Sequence, residues 1–191
     1  MKTHRARIEA SIRESIAAKE RFLATRVDAL SRIAEAALKA LRRGGKIVLL
    51  GNGGSAADAC HIATELVGRF KKDRRAIPAL ALGTNVQLLT AIANDLGYEE
   101  SFAREVDAHV AKKDLVIAIS TSGNSPNVLR AVARAKAIGA LVAAFTGAKG
   151  GKLRSRVDLL LDVPSNDTPR IQECHLLAGH ILCEVIEAET R

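Results

Sequence analysis

The spacing of apolar residues predicts a helical N-terminal region. Apolar side chains there recur every three or four positions, as at Ile8, Ile12 and Ile16, and this is the period of an α-helix. The segment ends in Arg42-Arg43-Gly44-Gly45, and cations followed by glycine are typical of a helix C-terminus. We therefore expect a helical hairpin in residues 1–44, with a free apolar face that packs on another subunit.

From residue 45 onward the pattern changes to short apolar runs that alternate with helical segments. The runs are KIVLL (46–50), PALALG (78–83, the weakest), DLVIAIS (114–120), LVAAFTG (141–147) and DLLLDVP (158–164). The helical segments lie near 55–69, 86–108, 126–138, 150–156 and 168–188. Uninterrupted apolar runs of this kind indicate parallel strands buried on both faces. The sequence predicts one α/β domain over 1–191, whose core is a three-layer, doubly wound sheet of five parallel strands.

Composition narrows the class of protein. Aromatic residues make up 3% of the chain and Trp is absent, so the core must be aliphatic. Three cysteines, without paired metal-ligand spacing, argue against a disulfide framework. No apolar run reaches the ~18–20 residues of a membrane span, and the charged N-terminus does not resemble a secretory signal. We expect a cytoplasmic protein with no membrane partner.

The formal net charge of +8 raises the question of nucleic-acid binding. The cations are interspersed with acids along the helices, as in KERFLATRVD, and no known nucleic-acid motif or interleaved aromatic residue accompanies them. A basic surface that favours phosphorylated metabolites, or simply a solvated face, accounts better for the charge.

The glycine-rich stretch GNGGSA (51–56) follows the first strand and formally fits a dinucleotide-binding pattern. That pattern requires an acid after the second strand, where this chain has Gly83-Thr84-Asn85. The absence of an acid there argues against NAD. Two interpretations remain: bare amides that approach an anion, with Ser55 at a helix start, or a plain strand-to-helix turn.

The stretch STSGNSP (120–126) follows a second strong strand and is crowded with hydroxyl groups. Ser125 is suited to cap the next helix and Pro126 to begin it. One cap needs one hydroxyl, so the others favour a phosphate site, made of hydroxyls and free amides at a helix N-terminus.

Polar residues on two predicted helices could add chemistry. His61 and Glu65 are four residues apart and share a helix face. They could form a metal site or an acid–base pair, or be an ordinary partly buried polar pair. Gln172, His175 and His180 lie on the last helix.

Together these motifs resemble the sugar isomerase (SIS) domain and, within it, the phosphoheptose isomerase family. The resemblance rests on GNGGSAAD, HxxxE, AIANDLG, ISTSGNS, TGAKGGKL and TPRIQECH, followed by His180, and it covers essentially the whole chain. It implies a flavodoxin-like fold and a homotetramer with active sites between subunits. The implied reaction converts sedoheptulose 7-phosphate, a phosphorylated seven-carbon sugar, to D-glycero-D-manno-heptose 7-phosphate, the first step towards nucleotide-activated heptoses.

The resemblance also implies roles for individual residues. The phosphate contacts would be Ser120, Thr121, Ser122 and Ser125, and the sugar contacts Asn52, Gly53, Gly54, Glu65, Asn94, Asp95 and Gln172. One zinc ion per subunit would be held by His61, Glu65, Gln172 and His180, with Glu65 and His180 also acting as the acid–base pair. Gln172 and His180 are eight residues apart, about 12 Å along a helix. Both reach one ion only if their side chains lean together or come from different subunits.

Two features bear on how far the resemblance holds. Some members carry Asp directly before RIQE, where this chain has Pro169; a substrate contact from that acid would be missing, or replaced by Thr168 or Asp167. Some relatives of this fold are non-enzymatic adaptors that bind the replication initiator, or sugar-phosphate sensors. The adaptors lack the residues that match Glu65 and His180. Both residues are present here, which favours the enzyme.

Overall fold

The computed structural model describes residues 3–190. The strands are β1 (Ile47–Gly51), β2 (Ala79–Ala81), β3 (Leu115–Ile119), β4 (Leu141–Gly147) and β5 (Leu159–Val163). The helices are α1 (His4–Arg42), α2 (Gly54–Val67), α3 (Val86–Leu96), α4 (Ser101–His109), α5 (Pro126–Ile138) and α6 (Thr168–Glu189). All strand pairs are parallel, in the order β2-β1-β3-β4-β5. This is the flavodoxin-like doubly wound order, and it confirms the predicted fold class.

The sheet separates two apolar cores. Alternate strand residues point to opposite faces, so Ile47 and Ile117 pack with α1, α2 and α6, whereas Val48 and Val116 pack with α4 and α5. Every residue of β1 and β3 is buried. Burial on both faces explains why these strands read as unbroken apolar runs rather than as alternating patterns.

The predicted N-terminal hairpin is wrong, because α1 is one helix of 39 residues. No glycine or proline occurs between His4 and Arg42, so nothing in the segment breaks the helix. It ends where expected, next to Gly44 at φ 71°. Side chains of α1 become buried only from Ala18 onward, and Ile8 and Ile12 stay 60% and 55% exposed.

Two further segments also differ from the prediction. Residues 86–108 form two helices instead of one, because α3 ends at Leu96 and Gly97 follows at φ 92°. A short 3₁₀ turn, Tyr98–Glu100, then leads into α4. The helix expected near 150–156 is reduced to a 3₁₀ turn at Gly151–Leu153.

His175 on α6 gives the folded protein a specific pH dependence. Its ring is fully buried, and Nε2 donates a hydrogen bond to the carbonyl oxygen of Thr146 at 3.1 Å. Burial lowers the pKa of His175 from 6.5 to about 4, although the Thr146 hydrogen bond opposes this shift. Between these two pH values the unfolded chain binds a proton that the folded chain does not. The free energy of unfolding therefore falls as the pH falls from 6.5 to 4.

We expect the His175→Gln variant to lose that dependence. The difference in unfolding free energy between pH 7 and pH 4 should shrink by up to about 3 kcal/mol relative to the parent protein, as measured by urea denaturation at both pH values. Burial raises the pKa of Asp58 to about 6 against the opposing influence of His61, which acts with the opposite sign over the same range. Comparison between variants cancels that contribution. The His4→Gln variant, changed at the exposed start of α1, is the control, and an equal shrinkage there would contradict the assignment.

Candidate active site

The candidate site lies at the carboxyl ends of β1 and β3. These two strands are neighbours in the sheet, and the chain leaves β1 towards β2 on one side and β3 towards β4 on the other. Ligands of doubly wound sheets bind in the crevice at such a switch point. The glycine loop (residues 51–54) and the serine loop (residues 120–125) both begin there, so the fold brings together the two loops singled out by the sequence.

The glycine loop depends on close backbone approaches. A Cβ on Gly51 would lie 2.8 Å from the carbonyl oxygen of Ile119, and Gly53 has φ 54°. A Cβ on Gly54, the first residue of α2, would lie 2.4 Å from Nε2 of Gln172. The predicted sugar contacts Gly53, Gly54 and Gln172 are therefore neighbours in the structure.

Asn52 is held in a network that sequence reasoning missed. Its side-chain amide pairs reciprocally with that of Asn127, at 2.9 and 2.8 Å, and its Oδ1 also accepts a hydrogen bond from the Tyr98 hydroxyl at 3.0 Å. Asn127 is buried at the start of α5. The pairing ties the glycine loop to the helix that follows the serine loop. An asparagine directly after Pro126 was the one available signal.

The serine loop presents a row of hydroxyls at the start of α5. Ser120 is 5% exposed; its Oγ accepts a hydrogen bond from the Gly123 amide at 3.2 Å and lies 3.4 Å from Oγ of Ser125. Ser125 occupies the N-cap position as predicted, but its side chain makes no capping hydrogen bond. Its hydroxyl is therefore not committed to the helix, which is consistent with the predicted anion site.

A cavity of about 290 Å³ adjoins the serine loop. Its lining includes the hydroxyl residues Thr121, Ser122, Ser165 and Thr168, with Asn124, Asn166 and Lys149. Among the described residues that line it none carries a carboxylate, so the cavity favours an anionic or hydroxyl-rich ligand. Thr168 is thus placed to compensate for Pro169. Lys149 lay within the motif TGAKGGKL but was not singled out from the sequence.

The second part of the site is a triad of metal-binding side chains. Nε2 of His61 lies 2.8 Å from Nε2 of His180 and 3.3 Å from Oε1 of Glu65. One ligand atom from each of the three residues lies within 4.8 Å of the others. The ring of Phe70 stacks on that of His180, with centroids 5.8 Å apart. Spacing predicted the pairing of His61 with Glu65, and the packing of α6 beside α2 adds His180.

Two imidazole nitrogens and a carboxylate oxygen that converge in this way suit zinc. The three residues meet within one chain, so no second subunit is needed to join His180 to the pair on α2. Gln172 is not beside them in this chain, because its amide lies against Gly54, two helical turns from His61. Asn94 and Asp95 are exposed near the end of α3, where their side chains hydrogen bond to each other.

Comparisons with known proteins agree with this geometry. The sequence matches the SIS domain family over residues 12–147. It is 51% identical to a phosphoheptose isomerase from Thermodesulfovibrio yellowstonii over 95% of this chain and 90% of the relative. The phosphoheptose isomerase GmhA from Neisseria gonorrhoeae superposes with a TM-score of 0.93 at 41% identity, covering 97% of this chain and 100% of the other.

A second solved structure gives the same result. The phosphoheptose isomerase from Francisella tularensis superposes with a TM-score of 0.95 at 35% identity, covering 98% of this chain and 100% of the other. Identity of this extent over nearly full length, with the triad and both loops in place, establishes the relationship. The chain belongs to the phosphoheptose isomerase family, a group of isomerases built on the SIS domain.

Proposed function

We propose that the protein isomerises sedoheptulose 7-phosphate to D-glycero-D-manno-heptose 7-phosphate, the first step in making nucleotide-activated heptose. The convergence of Glu65 and His180 beside His61, on helices that begin at the switch point, carries the proposal. The family supplies the substrate class, since the relatives are phosphoheptose isomerases. Both residues of the acid–base pair are present, which favours the enzyme over a non-enzymatic adaptor or a sugar-phosphate sensor.

Glu65 and His180 have complementary roles in the proposed mechanism. The Glu65 carboxylate removes a proton from C1 of the ketose, and the carbon–hydrogen bonding electrons form the double bond of an enediol. The same carboxylic acid returns the proton to C2. His180 transfers the proton between the two oxygens, so the C2 carbonyl becomes a hydroxyl and the C1 hydroxyl becomes a carbonyl. The overall change is an intramolecular redox exchange that needs no external oxidant.

A zinc ion fits the same side chains. His61, Glu65 and His180 would hold it, and Gln172 would be the fourth ligand, as the family resemblance implies. When bound, zinc supplies a positive charge that stabilises the oxyanion developing during enolisation. Glu65 has two carboxylate oxygens, so one can bind metal while the other faces the substrate carbon.

The phosphate would be held away from the reacting carbons. The hydroxyls of Ser120, Thr121, Ser122 and Ser125 and the free amides at the start of α5 would bind it, while Asn52, Asn94 and Asp95 would contact the sugar. Binding energy from this remote group positions the carbon chain for proton transfer.

We further propose that the chain forms a homotetramer with active sites between subunits. A groove of about 560 Å³ between α1 and α6 is lined mostly by apolar side chains, among them Leu23, Val27 and Val185, and Ile8, Ile12 and Ile16 continue the apolar surface along α1. A second copy would cover this surface. Asn94 and Asp95, exposed on α3, would reach a neighbouring subunit's site. Within residues 3–190 no helix is long and apolar enough to cross a membrane; we propose the cytoplasm as the location.

The test is turnover of the proposed substrate. Purified protein should convert sedoheptulose 7-phosphate to the heptose phosphate in a coupled assay, lose activity after treatment with a chelator and regain it with zinc. Stoichiometric zinc by elemental analysis would support the metal assignment, whereas full activity without metal would remove zinc from the mechanism. Protein that is inactive with zinc bound, yet captures a replication initiator at a 1:1 ratio, would establish the adaptor function instead.

A further inference from the structure

A buried carboxylate on α6 organises the chain between α2 and β2. Glu187 lies seven residues after His180, two helical turns along and on the same face. Its Oε2 accepts hydrogen bonds from the backbone amides of Lys71 and Lys72 at 2.9 and 3.1 Å, and its Oε1 accepts one from Phe70 at 3.3 Å. Burial alone would raise the pKa of Glu187, but these amides and Arg74 lower it below the ordinary value, so the group is an ionised carboxylate.

Arg74 connects that carboxylate to the end of α2. Its Nε donates to Oε1 of Glu187 at 2.9 Å, and the two side chains are only 7% and 2% exposed. The other guanidinium nitrogens donate to the backbone carbonyls of Glu65 at 2.8 Å and Leu66 at 2.9 Å. These carbonyls belong to the last turn of a helix, where the helix itself offers no donor. One guanidinium thus bridges the backbone of Glu65 and the helix that carries His180.

From this geometry we propose that Arg74 and Glu187 are positioning residues for the His61–Glu65–His180 triad. The triad combines side chains from two helices, and its convergence depends on the separation and rotation of those helices. The Arg74–Glu187 pair fixes both at the level of the triad. A planar guanidinium with donors in fixed directions suits this role better than a flexible ammonium.

Phe70 gives the pair a second route to the triad. Glu187 holds the Phe70 amide, and the Phe70 ring stacks on His180 with an interplanar angle of 27°. The carboxylate therefore fixes both the helix that carries His180 and the ring that packs on its imidazole. Loss of the pair would leave the imidazole freer to rotate away from His61.

The experiment compares Arg74→Lys and Glu187→Gln with the parent protein, at a temperature where circular dichroism shows each to be folded. Zinc affinity is measured by competition with a chromophoric chelator, and kcat and KM with sedoheptulose 7-phosphate. We expect zinc affinity and kcat to fall roughly 10–100-fold, the usual effect of changing groups that orient metal ligands. KM should stay within about twofold, because the phosphate-binding loop is untouched.

The matched control is Asp114→Asn. Asp114 is also buried and accepts hydrogen bonds from Nζ of Lys46 at 2.7 Å and from two backbone amides, but it precedes β3, at the opposite edge of the sheet. This variant should lower the melting temperature while zinc affinity and kcat remain unchanged. The proposal is overturned if Arg74→Lys and Glu187→Gln behave in the same way as this control.

The kinetic measurement rests on the proposed function, but two others do not. Zinc affinity and a crystal structure of Arg74→Lys require no substrate. In that structure we expect the 2.8 Å separation between Nε2 of His61 and Nε2 of His180 to increase by more than about 0.5 Å, the tolerance within which a working site is held. An unchanged separation would refute the positioning role, whereas an inactive parent protein would refute only the proposed function.

Discussion

The Glu65→Gln variant is expected to lose roughly 10²–10⁴ of kcat while remaining folded, which is the usual contribution of a general base. Glutamine has nearly the same shape as glutamate, and the Glu65 side chain is only partly buried, at 22% exposure, so the helix should tolerate the change. An amide cannot remove a proton from carbon at neutral pH. The coupled isomerase assay measures the loss, and circular dichroism checks the fold.

Zinc content separates the two roles of Glu65. A variant that retains zinc but not turnover has lost its base, whereas one that loses both has lost a metal ligand. Glu184→Gln is the matched control on the surface of α6, where the glutamate pairs with Nζ of Lys71 at 2.8 Å and both side chains are 57% exposed. That pair is worth little, and kcat should not change. Near-normal turnover of Glu65→Gln would remove Glu65 from the chemistry.

Gly123→Ala should damage both stability and phosphate binding. Gly123 has φ 65°, and a Cβ there would lie 2.0 Å from the carbonyl oxygen of Gly150. The left-handed conformation costs an alanine about 1–2 kcal/mol, and displacing the Gly150 backbone adds a cost of the size of overpacking. The free energy of unfolding should fall by roughly 2–5 kcal/mol. Because the serine loop must shift, KM should rise at least about tenfold, equivalent to 1.4 kcal/mol of binding.

Gly139→Ala isolates the effect of the close approach. Gly139 also has a positive φ, of 85°, but a Cβ there would meet only the flexible side chain of Lys112, at 3.5 Å or more. It lies at the end of α5 remote from the serine loop. This variant should lose only the conformational cost, with KM unchanged. Urea denaturation and steady-state kinetics of both variants provide the comparison, and equal losses would show that the contact with Gly150 is unimportant.

The sheet was predictable because its strands are buried on both faces. Such strands appear as unbroken apolar runs, and β1, β3, β4 and β5 were found within one or two residues of their bounds. The N-terminal segment was harder, since its periodicity showed helix but not whether the chain turned back. The division after Leu96 depends on the backbone conformation of a single glycine, Gly97, and glycine is also tolerated inside helices.

The candidate site was predictable where its residues are close in sequence. His61 and Glu65 share a helix face by spacing alone, and the two loops follow strands that end at the same edge. His180 joins them because α6 packs tightly beside α2; a Cβ on Gly179 would lie 2.6 Å from Ile62. Contacts of this kind, like those of Arg74 with Glu187, join residues more than 100 positions apart, and one sequence contains no periodicity that reveals them.

The reciprocal amide pair between Asn52 and Asn127 has a consequence for substrate selection. It fixes the start of α2 to the start of α5, and His61 lies seven residues along α2 from Gly54, about 10 Å at the helical rise. The interval between the phosphate anchor and the triad is thus set by a hydrogen-bonded amide pair and a rigid helix, neither of which stretches. The fold acts as a ruler: a sugar phosphate is selected by whether its carbon chain spans that interval, and a shorter chain held by its phosphate would stop short of Glu65.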